Sequence, residues 1–299
     1  MNIVFNVNPL GLEGLGATVT SMVRNCTDSS RLVLNFLCSD LSGVDKSNIV
    51  KSLADAGFSG QTKFIDFDAE KEFGNLRSLH GDWTAYGRLL IPDVIAADRV
   101  LYLDADLSIN LDVLELEKTV DLDGHFLAAV AGTTLKWALD GEFLKKSAGM
   151  DDDMPYFNSG VVYFNTQACR LDGAAAKWRE FAALNRDGLV SHDQTVLNAY
   201  VKGDFVRLES RYNVPWVAGN DALEPTDNAI VHFIGAPKPW DLSGRWLHRG
   251  HAHWTRHQSS FWNNAYGRLT IGKLFRTWKI RRSIIKVIMW KMKPAKGPK

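Results

Sequence analysis

The sequence has few cysteines, three in 299 residues, and Cys26, Cys38 and Cys169 form no C-x-x-C pair and cannot all be bridged to one another. That excludes a complete disulfide framework and fits a reducing compartment. No apolar run is long enough for a transmembrane helix. Met1 and Asn2 lead straight into a strand-like segment, without the basic region and cleavage site of a signal peptide. These absences predict a protein made and kept in the cytoplasm. Acidic residues are missing from one end only: none follows Asp241, whereas 14 of the 35 Lys and Arg do. The first 241 residues therefore carry 21 basic and 34 acidic groups, a net of −13, and the remainder carries +14. An acidic body with a basic tail that meets an anionic surface is the expectation. Hydrophobic residues make up 45% of the chain, enough to fill a sizeable core.

Strand-like segments at residues 3–7, 31–37 and 62–67 alternate with helix-like ones at 17–25 and 46–56. Alternation of this kind predicts a parallel sheet with crossover helices. A helical stretch over 84–91 is stopped by Pro92, and 99–103 supplies the next strand. Downstream, 126–131, 160–164 and 230–233 read as strands, and 173–184 and 194–200 as helices. The chain shows no internal repeat and, before the tail, no low-complexity segment. The expected organisation is an α/β domain over residues 1–250 and a basic, aromatic-rich segment over 251–299, the boundary falling between Trp240 and Trp262.

Residues 99–110, RVLYLDADLSIN, end an apolar run in Asp104 and Asp106. Residues two apart in a strand share a face, so both carboxylates can converge at the strand's end, where open α/β sheets bind ligands. Two hard oxygen donors suit Mg²⁺ or Mn²⁺ carrying a diphosphate. The alternative is that one acid caps a turn and the other is solvated. Four further segments bear on this choice. In IVHFIGAPKPW, His232 ends a strand and Lys238 sits in a Gly and Pro turn, suiting one metal ligand and one phosphate cation. In YFNSGVVYFN, Asn158 and Ser159 can read sugar hydroxyls, although Asn-Ser-Gly is also turn chemistry. In SHDQTVLN, Asp193 and Gln194 open a helix, where an acid is favoured by the helix dipole alone. Arg88, in the Tyr86-Gly87-Arg88 stretch, can meet a phosphate, a nearby acid or only a surface salt bridge.

The order and spelling of these segments, together with the opening MNIVFNVN, resemble glycosyltransferase family 8, the retaining enzymes that include bacterial lipopolysaccharide galactosyl- and glucosyltransferases and, more distantly, glycogenin. The likeness covers most of residues 1–240. It implies a Rossmann-like nucleotide-diphospho-sugar transferase (GT-A) fold, a UDP-hexose donor and Mn²⁺, with Mg²⁺ as the substitute. Carried onto this sequence, Asp104, Asp106 and His232 would be the metal ligands, and Lys238 and Gly235 would lie at the diphosphate. Asn158, Ser159, Asp193 and Gln194 would surround the donor sugar, Arg88 would lie beside it, and Val7 and Asn8 would lie by the uridine. Two departures bear on the donor. The first loop has Asn8, Pro9 and Leu10 where bacterial galactosyltransferases of this family show an acid and an aromatic. Thr133 and Thr134 stand where many relatives place an acid that touches the sugar.

With Asp193 the only carboxylate near Gln194 in its motif, front-face attack by the acceptor is expected over a covalent intermediate. In the tail, Leu274, Phe275, Trp278, Ile285 and Ile288 recur at helical spacing among Lys273, Arg276, Lys279, Arg282 and Lys286. This is the pattern of an interfacial helix on anionic lipid, or else of a helix docked on the acidic body. No nucleic-acid recognition fold accompanies the charge. Glycan or glycolipid acceptors at the inner face of the cytoplasmic membrane follow from the tail and the resemblance together. Two rivals remain: a haloacid-dehalogenase-like phosphatase, whose D-x-D normally sits near the start of the chain, and a non-catalytic sugar-nucleotide binding protein of the same fold.

Overall fold

A computed structural model describes residues 1–79, 81–220 and 226–292. Among the described residues ten strands are formed: β1 (Asn2–Val7), β2 (Val33–Cys38), β3 (Gln61–Asp66), β4 (Arg99–Leu103), β5 (Leu107–Ile109), β6 (Leu127–Thr134), β7 (Pro155–Asn165), β8 (Val206–Arg207), β9 (Val214–Pro215) and β10 (Ile230–His232). Seven make the central sheet in the order β3-β2-β1-β4-β7-β6-β8, and β5-β10-β9 make a small second sheet. In the central sheet β1 to β4 pair in parallel, and of its strands only β7 runs against its neighbours, β4 and β6. From β1 the chain winds outward through β2 and β3, then returns to β4 on the other side of β1. The C-terminal ends of β1 and β4 thus flank a topological switch point, where a doubly wound sheet opens a crevice.

Alternation along β1 fills two apolar layers. Ile3 and Phe5 pack with Phe36 beneath helix α1 (Leu12–Asn25), and Val4 packs with Tyr102, Phe164 and Trp178 on the other face. Both faces are covered, so β1 and β4 read as continuous hydrophobic runs. Three local expectations change. Residues 84–90 form a 3₁₀ helix, and Pro92 opens the following helical turn, Ile91–Val94, where its missing N–H costs nothing. Asn158 and Ser159 lie inside β7 and not in a turn, because β7 runs eleven residues past register shifts against β6. The helix expected over 173–184 forms as Ala174–Leu184, and an additional helix, Thr166–Asp172, precedes it and is closed by Gly173 at φ 68°.

Residues beyond 250 pack against the body. Trp262 is buried, its indole N–H donates to Leu12 O at 2.9 Å, and its ring fills the space above Gly16 where a Cβ would lie 2.2 Å from it. Trp216, Phe233, Trp240 and Trp254 gather with His248 and His253 in an aromatic cluster. Among the described residues no helix is long and apolar enough to cross a membrane.

Burial, followed by the nearby Lys238 and with smaller contributions from His251 and Lys291, lowers His248 from 6.5 to about 4. Burial, His253, Arg256 and Arg24 do the same to His257, and burial and Arg256 lower His253 against a weaker opposing pull from Asp227. These imidazoles are neutral in the fold and take up protons when it opens. Their contribution to stability is complete above pH 6.5 and is lost as pH falls toward 4, at about 1.4 kcal/mol per unit of pKa difference. Urea unfolding at pH 7 and pH 5 should therefore show a falling midpoint, and a His248→Gln/His257→Gln variant should show a smaller fall.

Candidate active site

Strand β4 delivers Asp104 to the crevice. Its backbone N–H donates to Gly160 O at 2.8 Å, which fastens the end of β4 to β7. The chain then bends into β5, so Asp106 meets Asp104 across a bend rather than along a strand. In the second sheet, β10 pairs antiparallel with β5 and sets His232 opposite Leu107. One ligand atom each from Asp104, Asp106 and His232 lies within 4.8 Å of the others. His232 Nε2 is 3.1 Å from Asp106 Oδ1 and 3.7 Å from Asp104 Oδ2.

The donors of this triad are oriented by unambiguous partners. The Gly160 N–H donates to Asn158 Oδ1 at 3.1 Å, which fixes that oxygen as the acceptor. The same oxygen accepts from Asn213 Nδ2 at 3.1 Å, leaving Asn213 Oδ1 to face His232 Nδ1 at 3.0 Å. His232 thus carries its proton on Nδ1 and turns the Nε2 lone pair toward the two carboxylates, the tautomer a metal requires. Asp106 Oδ1 is buried and lacks a well-directed hydrogen bond. Two carboxylates and a neutral imidazole fit Mn²⁺ or Mg²⁺. Gly160 is obligatory here: a Cβ would lie 2.3 Å from His232 Cε1 and 2.8 Å from Asp104 Oδ2.

Lys238 Nζ donates to Asp106 Oδ2 at 2.6 Å and also to Phe233 O. Burial pushes the Asp106 carboxyl up, but the Lys238 ammonium bonded to it pulls the other way, and the group sits well below the usual carboxylate range. Arg88 is buried, not on the surface. Its Nη2 donates to Asp104 Oδ1 at 2.9 Å, its Nη1 to Ser159 O and Oγ at 2.6 and 2.8 Å, and its Nε lies 2.9 Å from Asp193 Oδ2. Tyr102 Oη also donates to Asp104 Oδ1, at 2.7 Å, and its ring lies under the guanidinium. Asp193 is buried and accepts from Ser159 Oγ at 2.9 Å; burial, with Asp104 nearby, raises it to about 6 against the pull of Arg88. Gln194 Oε1 accepts from Asn158 Nδ2 and the Ser159 N–H, and its Nε2 donates to Tyr156 Oη.

A cleft of about 260 Å³ opens beside the triad, lined by Asn6, Asn8, Leu10, Gly11, Arg88, Asp104, Asp106, Lys238 and Trp240 among others. Asn8 Oδ1 accepts from the Gly11 N–H at 2.9 Å, and its Nδ2 donates to Asp82 and, at 3.3 Å, to Thr84 Oγ1. The first loop lacks its own acid, yet Asp82 brings a carboxylate to it from 74 residues away. Val7 is buried in the core, with its carbonyl taken by the Ser39 N–H, and is not among the cleft-lining residues. Gly235, at φ 73°, shapes the turn that brings Lys238 back to Asp106 and does not line the cleft. Asn158 and His232 line a second, smaller cavity with Gly132, Asn213 and Ile234. Sequence reasoning missed Asn213, Asp82 and Tyr102.

A mainly parallel, doubly wound sheet with an acid pair at its switch point is the nucleotide-diphospho-sugar transferase (GT-A) fold. The crystal structure of galactosyltransferase LgtC in complex with donor and acceptor sugar analogues shares it, with a TM-score of 0.72 and 23% identity, covering 91% of this chain and 100% of that one. A model of glycosyl transferase family 8 matches residues 2–243, and the chain belongs to that family. General stress protein A of Bacillus subtilis is 26% identical over 83% of this chain and 90% of its own length. Lipopolysaccharide 1,3-galactosyltransferase of Salmonella typhimurium is 25% identical over 81% and 74%. The family and the fold make the chain a glycosyltransferase.

Removing the partner that fixes a ligating histidine typically costs 10- to 100-fold in metal affinity. Asn213→Ala should weaken Mn²⁺ binding by about that factor, measured by electron paramagnetic resonance titration. The melting temperature should fall only modestly, since the Gly160 N–H keeps its bond to Asn158 Oδ1.

Proposed function

We propose that the protein transfers a hexose, galactose or glucose, from a UDP-sugar to a glycan or glycolipid acceptor with retention of configuration. A lipopolysaccharide core or a related cell-surface polysaccharide is the acceptor class, as in the named activity of the Salmonella relative. The observation that carries the reading is the convergence of two carboxylates, one correctly tautomerised imidazole and the Lys238 ammonium beside a cleft at the sheet's switch point.

Asp104, Asp106 and His232 would hold Mn²⁺, with Mg²⁺ as substitute, and the bound ion supplies positive charge to a diphosphate as it departs. Lys238 adds a cation on the same side, which stabilises the leaving group without a protein acid. Arg88 cannot act as a free phosphate hand, because all three of its nitrogens are engaged. It holds Asp104, Ser159 and Asp193 in one frame, which makes Arg88 and Asp193 positioning residues. The Asp193 carboxylate is turned into Arg88 and Ser159, so a covalent glycosyl ester there is disfavoured. Gln194 is a weak nucleophile whose amide oxygen is held by Asn158 and Ser159. Front-face attack, in which the acceptor hydroxyl passes its proton to the departing phosphate, is the route these groups leave open. Asn158 and Gln194 are available to sugar hydroxyls, and Asn8 and Asp82 to the nucleoside.

The protein would work at the inner face of the cytoplasmic membrane. Residues 271–279 and 281–291 form two helices on which Ile271, Leu274, Phe275 and Trp278 remain more than half exposed among cations without a single acid. An anionic bilayer matches both the apolar face and the charge. Phe275→Glu/Trp278→Glu should reduce sedimentation with phosphatidylglycerol vesicles severalfold while UDP-sugar hydrolysis in solution persists; unchanged sedimentation would remove the membrane assignment.

A panel of UDP-sugars assayed for UDP release tests the activity. One UDP-hexose should be hydrolysed in the presence of Mn²⁺, chelation should abolish turnover, and Lys238→Met should lower kcat by roughly 10²-fold or more. Release of phosphate from a simple phosphomonoester without UDP-sugar dependence would establish the phosphatase instead, and donor binding without turnover would leave a binding protein.

A further inference from the structure

The helix Ile271–Lys279 straps the two walls of the cleft together. On one wall, Lys273 Nζ donates to Glu13 Oε1 at 2.6 Å, at the start of α1 just past the first loop. On the other, Arg276 makes a two-pronged pair with Asp241, through Nε and, at 3.1 Å, through Nη2. Asp241 Oδ2 in turn accepts from the Lys238 N–H at 2.6 Å, so the Arg276 pair is built onto the turn that presents Lys238. Lys273 and Arg276 are three apart and share the helix face turned to the body. Arg276 itself lines the cleft with Asp104, Asp106, Lys238 and Trp240.

A guanidinium held flat by a carboxylate at the mouth of a diphosphate cleft is preorganised for a phosphate oxygen. Among the described residues it is also the one cleft-lining cation contributed by the C-terminal segment. We propose that Arg276 binds the phosphates of the donor nucleotide, so that the segment after residue 250 completes the donor site rather than serving only as an attachment. This assignment rests on the nucleoside-diphosphate reading of the cleft and adds to it a phosphate-binding residue from outside the family match, which ends at residue 243.

The test is calorimetric titration of the full chain with UDP and with uridine, both in Mn²⁺, for the natural protein, Arg276→Gln and Lys273→Met. Arg276→Gln should weaken UDP binding about tenfold, the scale of one charge-assisted hydrogen bond, and leave uridine binding unchanged. Lys273→Met, which loosens the strap without removing a cleft cation, should move UDP and uridine together or not at all. Equal UDP affinity in Arg276→Gln and the natural protein would overturn the assignment while leaving the nucleotide site intact. A loss shared equally by UDP and uridine would also overturn it, since Arg276 would then act only through packing. Absence of UDP binding by the natural protein would remove the nucleotide reading and this assignment with it.

Discussion

The site depends on one backbone amide. The Gly160 N–H donates to Asn158 Oδ1, and because a main-chain N–H has only one role, every amide and imidazole linked to it is assigned in turn: Asn158, Asn213, then His232. The neighbouring Ser159 N–H fixes Gln194 Oε1 in the same way. Midway along β7, where its register against β6 shifts between the Phe157 and Val162 pairs, these two N–H groups are left to organise side chains. The site's proton arrangement is therefore set by an irregularity inside the central sheet, and the absence of a Cβ at Gly160 is what lets the imidazole and Asp104 approach that strand.

Charge balance explains why the same site calls for a cation. Three carboxylates, Asp104, Asp106 and Asp193, face two permanent cations, Arg88 and Lys238, leaving one negative charge in a largely buried cluster. A buried excess charge is costly unless it is paired or binds a metal. The strain appears at Asp193, whose carboxyl burial and the neighbouring Asp104 push up to about 6 in spite of Arg88. A divalent ion would turn the excess into one positive charge, the sign that a diphosphate needs. The cluster thus has one polarity for the ion and the opposite for the nucleotide that follows it.

The sequence made legible what is local and repeated in pattern. Alternating apolar runs announced the parallel sheet, and short polar spellings at strand ends announced Asp104, Asp106, His232 and Lys238, which the structure brings together. What stayed illegible depends on contacts between distant positions. Asn213 lies in an unremarkable stretch and matters only because β9 runs beside β10. Asp82 replaces an acid that the first loop lacks, and nothing in residues 79–84 announces that partnership. Asn-Ser-Gly has turn composition, and it is the pairing of the residues on either side of it, with β6 before and with β4 and β6 after, that keeps it within a strand. Arg88 reads equally as a partner of a phosphate, of a nearby acid or of a surface salt bridge until two acids and Ser159 are folded around it.

The tail shows how one periodicity can serve two surfaces. In the helix Ile271–Lys279, residues 271, 274, 275 and 278 form an apolar stripe facing outward, while 273 and 276 face Glu13 and Asp241, which lie 260 and 35 residues away in sequence. Hydrophobic spacing alone revealed the first face and left the second indistinguishable from a solvated one. A reaction on a glycolipid must bring a water-soluble donor to an acceptor held at an interface. With Arg276 lining the cleft and Phe275 and Trp278 exposed on the outside, the two faces lie one helix width apart, about 10 Å. For the proposed membrane-bound acceptor, that spacing would let it reach the cleft without leaving its bilayer, a physical reason for a basic segment to be folded onto the domain.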